Sequence, residues 1–402
     1  MPDLTGILPE WPPVLGQTVL FGALLIVGLI VGEAFSRVLW LPRITGYVLA
    51  GVALGPQGTG LLGSDGLADA RVLVDLSIGL IVFELGFRLD FEWLRRNRWL
   101  FVSALAESVF CFWAIYAVLV SFDFRPLLAA SAAAIGTATS PAVVMLVAYE
   151  LRAEGQITER ALLFTAVNCV FAYVTLTLLL PFLHLENSGR WESALLHPIY
   201  LLGGSALAGY AGCRALLWLG GWLGKREDRQ FVLLVAAVVV MVGLARSLNL
   251  SVMVALVTLG MLARNLDREH ALLPLRFGHG GQLFFVILFV LTGASLEFEA
   301  AGAAAAVVVA FIVARFLGKA LALLIFSPFA AIRPGGAGLL ALALLPMSSL
   351  AVLMVHDTAA LYPGFGRELS VVVLSAVAVL ELLGPIATQY ALRHAGEAHP
   401  DG

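Results

Sequence analysis

Asn168 and Cys169 are adjacent polar residues in the middle of the apolar stretch TAVNCVFAYV (165–174). No charged residue lies within several positions on either side. Soft sulfur is a poor ligand for hard alkali cations, and a thiol gives up its proton less readily than a carboxyl does. The pair therefore raises the question of which other groups accompany it.

Arg315 and Lys319 are two cations in another apolar stretch, AAAAVVVAFIVARFLGKALALLIF (303–326), with Arg315 near its centre. A cation at the middle of a membrane costs at least about 2.5–3.5 kcal/mol, so it normally faces the interior of a helix bundle. The i, i+4 spacing puts both side chains on one helix face. A structural ion pair is the alternative to a functional role for each of them, and Lys319 could also reach the membrane interface.

The composition of the chain shows which solvent surrounds these residues. Of the 402 residues, 60% are hydrophobic and 13% are charged, and the mean hydropathy is +0.96. A soluble domain carries about 25% charged residues. Apolar stretches of about 20 residues, enough to cross the hydrocarbon core of a membrane, recur along the whole chain. The chain is therefore predicted to be an all-α polytopic membrane protein.

Thirteen membrane spans are predicted, with the N-terminus outside and the C-terminus in the cytoplasm. The loops predicted to be cytoplasmic contain sixteen Lys and Arg residues, against five in the opposite loops. This asymmetry follows the positive-inside rule. The second and ninth spans are short, as expected of broken or tilted helices. The spans lie near residues 15–36, 42–56, 71–89, 99–121, 126–149, 158–182, 194–218, 229–247, 250–264, 280–296, 300–327, 335–357 and 368–392.

The fifth and twelfth spans each carry a proline and hydroxyl residues at their centres. Proline removes a backbone donor, and Ser or Thr hydroxyls can satisfy the carbonyls that are freed. The two spans run in opposite directions, and such a pair is typical of an inverted-repeat secondary transporter with its site at the crossing. Two unrelated proline kinks are the alternative. The residues are Thr137, Thr139, Ser140 and Pro141 in one span and Pro346, Ser348 and Ser349 in the other.

In their order along the chain, these features resemble the sodium/proton exchanger superfamily, the monovalent cation:proton antiporters. The resemblance covers nearly the whole chain, and it includes the TAVNCVFAY region. The other motifs that carry it are ITGYVLAGVALGP (44–56), LIVFELGFRLD (80–90), GTATSPAVV (136–144), FFVILFVLTGASLEF (284–298), VARFLGKAL (313–321), LLPMSSLAVLMV (344–355) and ELLGPIATQYALR (381–393).

The resemblance implies a single integral membrane transporter domain over residues 1–402, with inverted repeats and two crossed broken helices. It implies a mobile core (helices about 71–182 and 280–357) and dimerisation helices (about 15–56 and 194–264). It further implies a homodimer in the lipid of the cell (inner) membrane that exchanges monovalent cations for protons. No cofactor, no nucleic acid and no metal beyond the transported cation are expected.

The resemblance also implies where ions bind. The family places an Asn-Asp or Asp-Asp pair beside the crossing, and the second Asp exchanges protons with the cation. A Lys or Arg on a later helix balances the charge. In this chain Cys169 stands where the proton-carrying Asp is expected. The residues assigned in this way are Thr139, Ser140, Asn168, Cys169, Ser348 and Ser349 for ion binding, and Arg315 with Lys319 for charge balance.

Three accounts of the missing carboxylate remain open. Another buried carboxylate could carry the proton, and the candidates are Glu84 in FELGF and Glu107 in ALAES, followed by Glu381. Arg315 could instead bind an anion together with the N-termini of the broken helices. Alternatively, the chain could have lost coupled transport and act as a channel or a sensor. The resemblance in the rest of the chain favours exchange of Na⁺ or K⁺ for protons.

An enzyme is the class that the sequence supports least. The chain contains no HExxH, no GxSxG and no Gly-rich phosphate loop. The three cysteines, Cys111, Cys169 and Cys213, lie in apolar stretches, so neither a disulfide framework nor a CxxC metal site is expected. The acidic start of the chain lacks the basic region of a cleaved signal peptide.

The asymmetry of basic residues generates a topology prediction. Residues 93–98, 225–229 and 264–276 are expected to face the cytoplasm, because they hold much of the Arg and Lys excess. Single cysteines placed in these loops should not react with a membrane-impermeant thiol reagent added to intact cells, and they should react after permeabilisation. Efficient labelling from outside would reverse the topology.

Overall fold

The structure is a computed structural model that describes residues 17–61, 64–188, 196–224, 226–267, 279–296, 305–330, 332, 334–347 and 349–399. Across these residues the regular structure is helical, without a β-strand. A π-helical turn, Tyr200–Gly204, precedes α9. The helices are α1 (Gln17–Val38), α2 (Arg43–Leu54), α3 (Ser64–Phe87), α4 (Phe91–Arg96), α5 (Arg98–Ser121), α6 (Pro126–Thr137), α7 (Pro141–Glu150), α8 (Gln156–Ser188), α9 (Ser205–Leu223), α10 (Glu227–Ser247), α11 (Val252–Leu266), α12 (His279–Ala294), α13 (Ala305–Phe326), α14 (Pro334–Ala343), α15 (Ser349–Leu361) and α16 (Pro363–His394).

The lengths and composition of these helices confirm the all-α membrane architecture. Among the described residues, seven helical segments are long and apolar enough to cross a membrane, and several shorter apolar helices accompany them. The second and ninth predicted spans are the short helices α2 and α11, of 12 and 15 residues. Residues 128–148, which run from α6 through α7, are all buried, so this segment lies at the centre of the bundle. The number of thirteen spans stays a prediction.

Both proline-containing spans are broken helices, as the sequence predicts. Helix α6 ends at Thr137, and α7 begins at Pro141 with the Ser140 hydroxyl accepting a hydrogen bond from the Val143 amide at 3.3 Å. This is an N-cap followed by proline in the first turn, where its missing N–H costs nothing. In the second span, α14 ends at residue 343 and α15 begins at residue 349. Non-helical backbone therefore interrupts both spans near their centres.

The two breaks cross and contact each other. The amide of Ser140 donates to the carbonyl of Pro346 at 3.0 Å, and the hydroxyl of Thr139 donates to the carbonyl of Leu344 at 3.3 Å. Non-helical backbone at membrane depth is tolerated only where it is buried in protein or lines a cavity. Thr139 and Ser140 are each 1% exposed, so the crossing meets this condition by burial.

Helix α13 packs along α5, and this contact brings the two buried cations to the crossing. The two helices approach closely at Gly318, where a Cβ atom would lie 2.9 Å from the Cα atom of Cys111. Small residues permit such approaches between membrane helices. Gly318 lies between Arg315 and Lys319 in the sequence, and both of these side chains are fully buried in the bundle interior.

The remaining helices form a second packed set. Helix α3 packs on α11, α2 packs on α1 and α12, and α9 packs on α10 and α11. The contacts thus group α3 and α12 with the helices expected to mediate dimerisation, although the sequence expectation placed residues 71–89 and 280–296 in the core. The division into a core and a dimerisation part stays a prediction.

Candidate ion-binding site

Arg315 binds the carbonyls that the two helix breaks leave free. Its guanidinium donates to Gly136 at 2.8 Å, Ala138 at 2.9 Å, Leu345 at 2.6 Å and Pro346 at 3.2 Å. The last carbonyls of a helix have no partner within the helix and carry a partial negative charge. Arg315 is 0% exposed and satisfies such groups from both broken helices at once. It therefore joins the two breaks instead of pairing with a carboxylate.

Lys319 forms a buried ion pair with Glu107 of α5, one turn along α13 from Arg315. Its ammonium nitrogen lies 2.5 Å from Oε1 of Glu107, and both side chains are 0% exposed. The ammonium also donates to the Thr137 carbonyl at 3.2 Å and to the Thr139 hydroxyl at 3.3 Å. A buried pair is tolerated only when each charge is compensated and further hydrogen bonds satisfy the remaining groups. The pair adjoins the first helix break.

Asn168 connects α8 to this ion pair. Its amide nitrogen donates to the Thr139 hydroxyl at 3.0 Å and to Oε1 of Glu107 at 3.4 Å, and its amide oxygen accepts from the Ser108 hydroxyl at 2.8 Å. We call Glu107, Ser108, Thr139, Asn168 and Lys319 the polar cluster. It joins α5, α8, α13 and the first break in the bundle interior.

Cys169 borders the polar cluster through a single hydrogen bond. Its thiol lies 3.2 Å from the backbone carbonyl of Thr139 and is 0% exposed. In this geometry the thiol acts as a weak donor to the break. The neighbouring residue Asn168 is hydrogen-bonded to a carboxylate, that of Glu107 on α5.

The other predicted site residues are placed as follows. Ser140 caps α7, and its backbone contacts the second break. Ser349 is the first residue of α15, whereas Ser348 lies outside the described residues. Glu84 of α3 accepts a hydrogen bond at 2.9 Å from Arg88, the residue that follows this helix, so its described ion pair is not with the polar cluster.

Sequence reasoning did not find Ser108 or the four carbonyls that Arg315 binds. The signal for Ser108 was its position beside Glu107, as a second polar residue in the apolar helix α5. The four carbonyls could not be recognised from the sequence, because every residue has a backbone carbonyl. Only the positions of the helix ends decide which carbonyls lack a partner.

A cavity of about 730 Å³ opens beside α8, on the side of the predicted outer loops. Tyr173 and Thr177 of α8 line it, and Tyr173 follows Cys169 by one helical turn. The ion pair of Asp75 with Arg246, at 2.5 Å, lies at the same cavity. The cavity therefore lies within about one helical turn of Cys169 on this side.

Comparisons with known proteins agree with this architecture. The family model described as "Sodium/hydrogen exchanger, transmembrane" matches residues 22–393. The sodium proton antiporter MjNhaP1 from Methanocaldococcus jannaschii, in a structure at pH 8, is 15% identical with a TM-score of 0.65, and the match covers 94% of this chain and 95% of that one. An electron-microscopy structure of the same antiporter is 17% identical with a TM-score of 0.69, covering 100% of both chains. The comparison with curated protein sequences gives no match.

The bonds of Arg315 predict a large loss of stability on its removal. Arg315→Leu removes a donor from four carbonyls, of which Pro346 keeps the Ser140 amide. Each buried carbonyl left without a donor costs about 1–3 kcal/mol. Arg315→Lys should be intermediate, because an ammonium has fewer donors than a guanidinium. Thermal unfolding of the detergent-solubilised protein measures the effect. The control is Arg125→Leu, since Arg125 pairs with Glu368 at the surface. Equal unfolding temperatures for Arg315→Leu and this control would contradict the prediction.

Proposed function

The chain belongs to the sodium/hydrogen exchanger family, and we propose that in this exchanger Glu107 is the carboxylate that the transported cation and the proton share. The exchange of a monovalent cation, Na⁺ or K⁺, for protons is the function that the family match supports. The observation that carries the assignment of Glu107 is its buried ion pair with Lys319 beside the crossing of the broken helices. Glu107 takes the role that the resemblance gives to an aspartate at position 169.

The position of Glu107 supports placing the shared carboxylate on α5 instead of α8. Asn168 occupies the first position of the family pair, and its amide lies 3.4 Å from the Glu107 carboxylate. A carboxylate on α5 can therefore act at the same hydrogen-bonded cluster as a carboxylate at position 169 on α8. Cys169 itself supplies no charge, and its thiol bonds to the Thr139 carbonyl.

The oxygen atoms of the polar cluster are suitable ligands for a hard cation. Alkali cations prefer oxygen ligands, and the cluster offers the Glu107 carboxylate, the Thr139 hydroxyl and the Asn168 amide oxygen. Oε2 of Glu107 is buried and has no hydrogen-bond partner in the described part of the chain, so it is available to a cation or a proton. We place the cation at this carboxylate.

Competition for one carboxylate supplies the coupling. The Glu107 carboxylate balances one positive charge, which in this structure belongs to Lys319. A cation that binds there must displace the ammonium toward the Thr137 carbonyl and the Thr139 hydroxyl, which already accept from it. A proton on Glu107 removes the charge that attracts the cation. Cation and proton therefore exclude each other, and mutual exclusion is the condition for exchange.

The anion-binding alternative has less support. Arg315 directs its donors at four carbonyls, so little of its hydrogen-bonding capacity remains for an anion. An uncoupled channel or sensor is distinguished by flux, because only coupled exchange moves protons in response to a cation gradient.

We propose the further architecture on the same family basis. The polar cluster moves with a core made of the broken helices and the helices that hold them, and the protein acts as a homodimer in the cell (inner) membrane with its N-terminus outside. The large exposed side chains of α9 support a dimerisation face there, since Trp218 and Trp222 are 73% and 80% exposed. Exposed aromatic residues of this size are frequent in interfaces and in lipid contacts.

Neutralising Glu107 tests the assignment. Glu107→Gln should abolish cation-driven proton flux, because the amide neither attracts a cation nor exchanges a proton. Glu84→Gln is a matched control, since Glu84 is also a buried carboxylate but pairs with Arg88. The measurement is proton flux in reconstituted vesicles with Na⁺, K⁺ and Li⁺ gradients. Full activity of Glu107→Gln, or loss of activity in Glu84→Gln alone, would move the role to another group.

Two substitutions of Cys169 test the role of the thiol. Cys169→Ser should keep most of the flux, because a hydroxyl can replace the thiol as donor to the Thr139 carbonyl. Cys169→Asp should strengthen Na⁺- or K⁺-driven proton flux, because it restores a carboxylate beside Asn168. Cys111→Ser, another buried thiol near the first break, is the control. An inactive Cys169→Ser would show that the thiol itself carries the proton, and unchanged coupling in Cys169→Asp would contradict the carboxylate argument.

A further inference from the structure

Glu381 of α16 is a buried acid that the polar cluster does not use. It is 0% exposed, and neither of its carboxyl oxygens has a hydrogen-bond partner within the part of the chain that the structure describes. Two other buried acids differ in this respect, because Glu107 pairs with Lys319 and Glu84 pairs with Arg88. Among the described residues, no cation compensates the charge that Glu381 would carry when ionised.

A carboxyl in such surroundings holds its proton. Burial of an ionised carboxylate without a partner is so unfavourable that the group stays neutral instead. A neutral buried carboxyl still forgoes the hydrogen bonds it makes in water. An apolar residue would avoid this cost, so an unpartnered acid inside a membrane protein indicates a functional role.

Glu381 lies on the face of α16 that packs against the second helix break. Gly384, three residues further along, contacts Pro346 so closely that a Cβ atom there would lie 2.7 Å from the Pro346 Cα atom. Thr388, one more turn along, donates to the carbonyl of Ala343 at 3.2 Å. Residues at these spacings share one face of a helix. A movement of the second break therefore acts on the face of α16 that carries Glu381.

The charged groups on the neighbouring helices leave Glu381 without a compensating cation. Helices α6 and α14 contain no charged residue. On α13, Arg315 donates to the carbonyls of the breaks and Lys319 pairs with Glu107. The other charged residues of the helices packed on α16 lie toward the helix ends: Arg43 on α2, Glu150 on α7, and His356 and Asp357 on α15, with Arg367, Glu368, Arg393 and His394 on α16 itself.

We propose that Glu381 is a second proton-binding site of the exchanger. It holds a proton while the breaks are packed as in this structure, and it releases that proton to water on one side when their movement opens its surroundings. It crosses back as the carboxylate in the cation-loaded protein and takes up the next proton from the other side. With one proton on Glu107 and one on Glu381, two protons move against each cation, and the cycle carries one net charge across the membrane. This inference rests on the proposed exchange at Glu107.

The coupling ratio tests the second site. In vesicles without a membrane potential, proton flux stops when the pH gradient balances the cation gradient. A roughly tenfold cation gradient is balanced by about one pH unit at one proton per cation and by about half a unit at two, since each tenfold ratio has the same free energy. Wild type should stop at about half a unit, and Glu381→Gln should stop at about one unit with its flux retained.

Two further variants make the test specific. Glu368→Gln removes an exposed acid from the same helix and should leave the balance point of wild type unchanged. Glu381→Met places an apolar side chain of similar length in the pocket, so it carries the same test if the buried amide of Glu381→Gln prevents folding. Infrared spectra should show the carbonyl band of a protonated acid that is absent from the Glu381 variants.

The outcomes separate the two proposals. A wild-type balance point at about one unit, or a Glu381 variant that keeps the half-unit balance, would overturn the second site and leave exchange at Glu107 intact. Infrared spectra in which the Glu381 variants keep every protonated-acid band of wild type would overturn it too. A wild type without cation-driven proton flux would overturn both proposals, and flux that survives Glu107→Gln would overturn the proposed function.

Discussion

The bonds between Arg315 and the carbonyls of two broken helices are the interaction on which the rest of the site depends. A break in a membrane helix leaves backbone groups without partners, and lipid cannot supply them. Here one guanidinium from α13 reaches Gly136 and Ala138 in the first break and Leu345 and Pro346 in the second. The crossing can therefore exist in the bundle interior, and non-helical backbone becomes available beside the polar residues of α5 and α8.

The packing of α13 on α5 then determines where the charge of the site lies. With Arg315 engaged by carbonyls, Lys319 is the cation that remains for a carboxylate, and it lies one turn away on the same face. Glu107 meets it from α5, and Asn168 donates to Glu107 from α8. The site thus retains an acid, an amide and a balancing cation although position 169 is a cysteine. Under the proposed assignment the shared carboxylate lies on α5 instead of α8 and still contacts Asn168.

The chain contains buried acids in three different settings. Glu107 is paired and hydrogen-bonded at the crossing, Glu84 is paired with Arg88, and Glu381 has no partner among the described residues. The carboxyl group therefore has a different role in each setting. A paired acid can exchange its partner for an ion, whereas burial without a partner favours the protonated form of an acid.

The sequence by itself determined the membrane setting, the two broken helices and the family. These depend on composition, on proline with neighbouring hydroxyls, and on motif order, all of which can be read along the chain. It also singled out Asn168, Arg315, Lys319 and the acids Glu84 and Glu107 as candidates. Only the tertiary structure decided that Lys319 pairs with Glu107, that Arg315 binds carbonyls, and that Glu84 pairs with Arg88. Glu107 and Lys319 are far apart in the chain, and the buried carbonyls look like any others until the helix ends are known.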